Sequence, residues 1–233
     1  MAVNKHQILC TKLLDDTLTE PVQQENIDLD CISFIEIKPV KTVELSDRIQ
    51  GLAQQNIKVI FTSSNAVEAV DAHLISPPSW EVYCIGGKTK DTFKEKFGNI
   101  TIKGFADTAK ALAKLIVKNN TACTIYFFSG NKRLNHLPEV LSDNLFDLEE
   151  VVVYTTEPAK HIIEKEYDGI IFFSPSAVNS FFEVNKIKDN VVLFAIGDTT
   201  ATEIGEHTNN RIVISRKPDA ALLLQMVVET FNT

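Results

Sequence analysis

Five short clusters of small polar residues hold most of the groups in this chain that could bind or react. Thr62-Ser63-Ser64-Asn65 and Ser174-Pro175-Ser176 place hydroxyls where an apolar run gives way to a helical one. Gly86-Gly87-Lys88-Thr89 and Gly197-Asp198-Thr199-Thr200 put glycine at the same kind of junction, and Ser129-Gly130-Asn131-Lys132-Arg133 adds two cations. The chemistry these junctions suit is anion binding. The first turn of a helix leaves backbone N–H groups without intrahelical partners and carries the positive end of the helix dipole. Glycine lets a backbone turn sharply and approach a ligand closely. N-capping explains either hydroxyl turn taken alone. Two copies beside two glycine turns favour a binding role. The Ser129–Arg133 cluster reads either as a polar turn with solvated charges or as an anion site, since Arg grips a carboxylate bidentately. Lys12, just after the first apolar run, is a weaker position of the same kind. Tyr154 sits in the apolar run V-V-V-Y-T-T, where a half-buried packing role is the default. Facing a cleft, its hydroxyl would instead be a weak acid or hydrogen-bond donor.

The other familiar constellations do not occur. Neither glycine turn has the G-x-x-x-x-G-K-[ST] or G-x-G-x-x-G spacing, and there is no G-x-S-x-G elbow. His6, His73, His136, His161 and His207 show no metal-ligand spacing, so no metal is expected. Asp15-Asp16 and Glu149-Glu150 read as solvated acidic faces, not as an acid/base pair.

The elements that must position these clusters repeat. Ile60–Val67 reads I-F-T-S-S-N-A-V and Ile171–Val178 reads I-F-F-S-P-S-A-V, 111 residues apart (178 − 67 = 111). Gly86 and Gly197 share that offset, and Ala106-Asp107 pairs with Pro218-Asp219 at 112. Two blocks at one shared offset indicate a duplicated α/β unit. Strands are expected at Gln7–Thr11, Lys58–Phe61, Val82–Ile85, Ile100–Ile102, Thr124–Phe128, Gly169–Phe173, Val191–Ile196 and Ile212–Ile214. Helices are expected to start near Asn65, Thr89, Ala109, Leu134, Ser176, Thr200 and Ala220. Short apolar strands alternating with helices imply parallel sheets covered on both faces. Two strand-like segments, Ser33–Lys38 and Val151–Thr156, have no helix following at once. They suggest a two-stranded bridge (34–39 and 151–156) between a discontinuous domain of 1–33 with 157–233 and an inserted domain of 40–150.

Composition bounds the rest. The 233 residues are 44% hydrophobic and 23% charged, an ordinary globular balance. The 23 basic against 31 acidic residues give a net charge of −8 without a basic stripe, which argues against nucleic acid and anionic membrane surfaces as partners. No apolar run is long enough to span a bilayer, and Lys5, His6 and Gln7 interrupt any signal-peptide stretch. Cys10, Cys31, Cys84 and Cys123 are widely spaced, as expected of reduced, buried cysteines in the cytoplasm.

The ordered set F-T-S-S-N-A-V, S-G-N-K-R followed by L-P, V-V-V-Y-T, F-S-P-S-A-V and A-I-G-D-T-T-A resembles uroporphyrinogen-III synthase, over about Thr11 to Ala221. The resemblance implies two flavodoxin-like or Rossmann-like parallel-sheet domains, joined by a two-stranded antiparallel linker, with the active site in the cleft between them. It implies a monomer acting on hydroxymethylbilane, a linear tetrapyrrole, which loses water and closes to uroporphyrinogen III with ring D inverted. No cofactor is implied, because the substrate supplies its own reactivity. Carried over by motif, Lys12, Thr62, Ser63, Ser64, Gly86, Gly130, Asn131, Lys132, Arg133, Ser174, Pro175, Ser176, Gly197, Thr199 and Thr200 bind the substrate, and Tyr154 assists departure of the hydroxyl. Two positions depart from the family pattern: Lys12 stands where Arg is common, and Asp198 where Pro or a basic residue is common. A two-cysteine racemase is the first competitor, and it fails because Cys84 maps by the 111 offset onto Ala195. A non-catalytic two-domain α/β module binding a small polyanion is the second.

Overall fold

The computed structural model describes residues 5–98, 100–133 and 135–232. In chain order the elements are β1 His6–Cys10, α1 Asp16–Gln23, β2 Ile27–Cys31, β3 Ile35–Pro39, α2 Val43–Ala53, β4 Lys58–Phe61 and α3 Ser64–Asp71. There follow β5 Glu81–Ile85, α4 Lys88–Lys96, β6 Ile102–Ala106, α5 Ala109–Asn119, β7 Thr124–Gly130, α6 His136–Asp143 and β8 Asp147–Pro158. The chain continues with β9 Gly169–Phe172, α7 Pro175–Phe182, β10 Val192–Ala195, α8 Asp198–His207, β11 Ile212–Ile214 and α9 Ala220–Phe231. Among the described residues no helix is long and apolar enough to cross a membrane. The helix start expected at Leu134 lies outside the described residues.

Two compact units emerge, Met1–Glu36 with Glu157–Thr233 (unit one) and Ile37–Thr156 (unit two). The sheet of unit one has the order β2-β1-β9-β10-β11, every pair parallel. Numbered by their sequence within the unit, its strands read 2-1-3-4-5, the flavodoxin order. The sheet of unit two is β3-β8-β7-β4-β5-β6, with β8 through β6 parallel. Read from the β6 side, its five parallel strands are 3-2-1-4-5, with the order turning between β4 and β7 as in doubly wound sheets. The two segments expected to form a linker are neighbours: β3 lies beside β8 at the edge of this sheet, and the Val40 N–H donates to the Val153 carbonyl at 2.9 Å.

Helices on both faces of a parallel sheet demand strands that are apolar on both faces, and that is what these sequences supply. All of Gly169–Phe172 is buried; Ile170 and Phe172 enter one core of unit one and Ile171 enters the other. In β4, Val59 and Phe61 face one core of unit two while Ile60 faces the second.

Several elements differ from the sequence reading. Strand β2 (I-D-L-D-C) escapes it because two aspartates interrupt the run; as an edge strand it can point them outward, where Lys165 and Tyr167 bind Asp30 at 2.7 Å each. Helix α1 carries Pro21, a residue that normally punctuates helices. Helix α2 begins only four positions after the end of β3, so β3 is followed by a helix after all. Thr42 caps it by accepting from the Leu45 N–H at 3.2 Å, and Ile49, Leu52 and Ala53 form its buried face. Strand β6 lies later than expected, at Ile102–Ala106, and its register slips at Lys103: Val82 pairs with Ile102 but Tyr83 pairs with Gly104. A Cβ at Gly104 would fall 2.5 Å from Leu115 Cδ2 and 3.1 Å from the Tyr83 ring, so a larger residue there must displace the Leu115 side chain.

The duplication is visible in the caps. Ser63 and Ser174 cap α3 and α7 with their side chains (174 − 63 = 111), and Thr108 and Asp219 cap α5 and α9 (219 − 108 = 111). The third sequence pair is therefore Thr108 with Asp219, at 111, and not Asp107 with Asp219 at 112. The glycine turns differ by one: Gly87 precedes α4, whereas Gly197 precedes α8.

Candidate functional site

In open parallel sheets a ligand crevice forms where the strand order reverses, beyond the C-terminal strand ends, because the flanking helices leave on opposite faces. In unit two that point lies between β4 and β7. A hollow of about 220 Å³ opens there, lined by Thr62 and Ser63 after β4, by Gly130, Lys132 and Arg133 at the end of β7, and by Tyr154 of β8. Ile85, Phe127 and Leu137 add apolar wall that the sequence reading did not single out. Ala109, the first residue of α5, also lines it, so the N-termini of α3 and α5 both reach the hollow. A larger hollow of about 590 Å³, lined by Lys5, His6, Gln7 and Tyr167 among others, lies instead at the N-terminal ends of the unit-one strands, away from those helix starts.

Tyr154 reaches the hollow through a local irregularity. Along the β7–β8 pair Ser129 faces Val152, but Gly130 faces Tyr154, so Val153 is an extra residue on β8. Such a bulge re-aims the side chain that follows it. The Tyr154 ring, 8% exposed, comes to lie directly on Gly130. A Cβ at position 130 would stand 2.5 Å from its Cε2 and Cζ and 2.9 Å from its hydroxyl oxygen. The glycine is there for close approach of the ring.

The polar groups of the Ser129–Arg133 turn are largely committed. The Asn131 N–H donates to the Tyr154 carbonyl at 3.2 Å, and Asn131 Oδ1 accepts from the Thr156 N–H at 2.8 Å, tying the turn to β8. Arg133 grips Glu150 in a two-point ion pair, with Nε to Oε2 at 2.6 Å, and a further nitrogen reaches Asn135. Glu150 is thus the partner of Arg133, and Glu149 pairs with Arg48 at 2.9 Å; neither is the merely solvated carboxylate that the sequence suggested. Lys132 stays exposed. Ser129 is 2% exposed, and its hydroxyl has no hydrogen-bond partner among the described residues. By strand alternation it shares a face with Phe127, which lines the hollow.

The remaining expected residues divide between the units. Ser63 caps α3, its Oγ accepting from the Asn65 N–H at 3.2 Å, and Ser64 is the first residue of that helix. Gly86 lies outside the hollow and spends its N–H on the Ala106 carbonyl at 2.9 Å. The residue that needs glycine geometry is its neighbour Gly87, with φ of +65°. In unit one the order reverses between β1 and β9, and Lys12 and Ser174 follow those two strands. Lys12 Nζ sits 5.3 Å from the centre of the Phe173 ring. Ser174 Oγ accepts from the Ala177 N–H at 3.2 Å, with Pro175 and Ser176 opening α7. Gly197 is in extended backbone with open space beside it, and Thr199 is exposed. Thr200 is buried, and its N–H donates to the Gly197 carbonyl at 3.1 Å. Asp198 is exposed in the first turn of α8, where a carboxylate is stabilised by the helix dipole.

The family described as Uroporphyrinogen-III synthase HemD matches residues 16–225 of this chain. Comparison with curated protein sequences finds no match. Among solved structures, uroporphyrinogen-III synthetase from Helicobacter pylori is similar with a TM-score of 0.71 at 17% identity, covering 97% of this chain and 99% of that one. A triple mutant of uroporphyrinogen III synthase from the extremely thermophilic bacterium Thermus thermophilus gives 0.67 at 17% identity over 97% and 99%. The wild-type Thermus protein in a second crystal form gives 0.52 at 16% over 97% and 98%. At these identities the structural likeness is one of fold.

Proposed function

This chain belongs to the uroporphyrinogen-III synthase family, and we propose that Tyr154 and the helix-start turns carry out its ring closure of hydroxymethylbilane. The reaction breaks a carbon–oxygen bond, which makes the enzyme a hydro-lyase. The ring A pyrrole expels its own hydroxymethyl oxygen and leaves an azafulvene electrophile. Ring D attacks through its already substituted carbon, and the resulting spiro intermediate fragments and recloses with ring D inverted. What the protein must add is position, because direct closure to the unflipped isomer needs no help.

The observation that carries this reading is the hollow of unit two, where Thr62, Ser63, Lys132 and Arg133 converge with Tyr154 at a strand-order reversal. Eight substrate carboxylates must be held by a chain of net charge −8. Helix-start amides and local cations suit that task, since they bind carboxylates without net positive charge. Thr62, Ser63 and Ser64 with Lys132 serve in unit two; Lys12, Ser174, Ser176, Gly197 and Thr199 serve in unit one. Arg133 contributes by turning part of its fork from Glu150 to substrate, while Asn131 holds the turn in place. The Tyr154 hydroxyl donates a hydrogen bond to the departing oxygen. The enzyme works as a monomer in the cytoplasm.

Supplying hydroxymethylbilane and separating the oxidised uroporphyrin isomers tests the activity: isomer III should dominate. Isomer I in the proportion formed without protein would leave only a polyanion-binding module. Tyr154→Phe keeps the ring on Gly130 and removes the donor. Turnover should fall roughly 10- to 100-fold, at or below the lower end of the range for general acids, with product binding almost unchanged. Equal losses in turnover and product binding would make Tyr154 a packing residue.

A further inference from the structure

Cys10 and Cys31 close the parallel strands β1 and β2 side by side, as directly paired last residues of the two elements. They lie in one apolar cluster of unit one, Cys10 fully buried and Cys31 half-buried on the edge strand of the sheet. The Cys10 thiol donates to the Lys12 carbonyl at 3.0 Å, and Cys31 lies beside it with the Leu14 N–H close by. Both sulfurs are therefore built into the loop that follows β1. Neighbouring strands run about 4.8 Å apart, inside the Cα separation of roughly 4.4–6.8 Å that a disulfide accepts. Being the last residues of their strands, the pair can close the remaining gap without breaking the ladder behind it.

We propose that Cys10 and Cys31 are a reversible dithiol–disulfide couple, oxidised by hydroperoxides, and that oxidation releases the Lys12–Leu14 loop. The chemistry divides the roles. The adjoining Cys10 thiol holds the Cys31 thiol below the ordinary thiol range, aided by the Leu14 N–H and opposed by burial and by Asp30. Cys10 is pushed the other way, by the neighbouring Cys31 and by burial. The Cys31 thiolate, reachable from the sheet edge, attacks hydrogen peroxide, giving Cys31 sulfenic acid and hydroxide. With Cys31 no longer anionic, the main cause that kept Cys10 protonated is gone. Cys10 sulfur attacks the sulfenic sulfur, the S–S bond forms, and the hydroxyl leaves as water with the Cys10 proton. In total, two thiols and one peroxide give one disulfide and two waters; a dithiol reductant reverses it. Cys84 is unsuited, its thiol pushed up to about 11 by burial. The Lys12 carbonyl loses its S–H donor in the oxidised form, and the Leu14 N–H loses the anion beside it.

The test uses the intact chain and no turnover assay, so it stands or falls apart from the synthase reading. The protein is treated with hydrogen peroxide, alkylated with N-ethylmaleimide and digested for mass spectrometry. Two of the four free thiols should be lost, with the Cys10 and Cys31 peptides joined and separated again by dithiothreitol. Cys84→Ser and Cys123→Ser should leave the linkage intact, and Cys31→Ser should abolish it while Cys10 stays alkylatable only after unfolding. Four alkylated thiols after treatment, or Cys31 driven to sulfinic acid without a link to Cys10, would overturn the couple. Hydrogen exchange at Lys12–Leu14 should quicken in the oxidised wild-type protein; unchanged exchange would overturn the loop release.

Discussion

Gly130→Ala should abolish most activity and destabilise unit two by about 1–3 kcal/mol, the usual cost of forcing extra volume into a filled site. The new methyl would stand 2.5 Å from Tyr154 Cε2 and Cζ, closer than any real contact, so the ring must leave its place. It packs in the cluster that holds Phe128, Val151 and Val153, which blocks retreat on that side. The open direction is the hollow itself, and a ring swung there occupies substrate space. Activity should thus fall further than stability. Denaturant unfolding and the isomer assay measure the two. Adding Tyr154→Leu removes the ring atoms that collide: it should restore much of the stability of Gly130→Ala and none of the activity lost with the hydroxyl. A Gly130→Ala protein with native turnover would mean the ring is not held over position 130.

The legible parts of this fold were those written in local chemistry. Serine before a helix, glycine after a strand and a shared offset of 111 were enough to place α3 against α7 in the repeat, because capping is decided within four residues. The 111 offset could not show which residue of Asp107-Thr108 caps α5; that depends on the hydroxyl of Thr108 reaching the Ala111 N–H at 3.2 Å. Strand β2 was hidden because its aspartates are tolerated only on an edge, and edge position is a property of the sheet, not of five residues.

The candidate site was legible as turns and illegible as a cavity. Thr62, Ser63, Gly130, Lys132, Arg133 and Tyr154 come from three strands and the turns after them, and only the strand order brings them to one hollow. The bulge at Val153 has no local signature, since V-V-V-Y reads as regular strand; it exists because Gly130 offers a Cβ-free face for the ring. Pairing of Arg133 with Glu150 is equally non-local, 17 residues apart and across β7 and β8. Thr200 illustrates what a motif alone leaves open: its burial at the start of α8 was not legible from the turn.

The floor beneath that site sets the second large effect. Phe128 pairs in register with Phe61 on one side and Val151 on the other. Its ring stacks on Phe61 with centroids 5.3 Å apart and lies 5.3 Å from Trp80. Phe128→Ala should cost unit two about 3–5 kcal/mol, transfer energy plus the cavity that stacked neighbours cannot collapse to fill, against a typical total stability of about 5–15 kcal/mol. The chain has one tryptophan, Trp80, 5% exposed with its indole N–H on the Leu52 carbonyl at 2.9 Å, so its fluorescence reports the unfolding of this core. The denaturant midpoint of that signal should drop sharply for Phe128→Ala. For Phe128→Leu, which keeps an apolar side chain in the stack and leaves a smaller void, the drop should be clearly smaller. Equal drops would mean the stack repacks around alanine. Because Phe128 lies behind the hollow and does not line it, isomer selectivity should survive in whatever fraction stays folded, which separates this effect from that of Gly130→Ala.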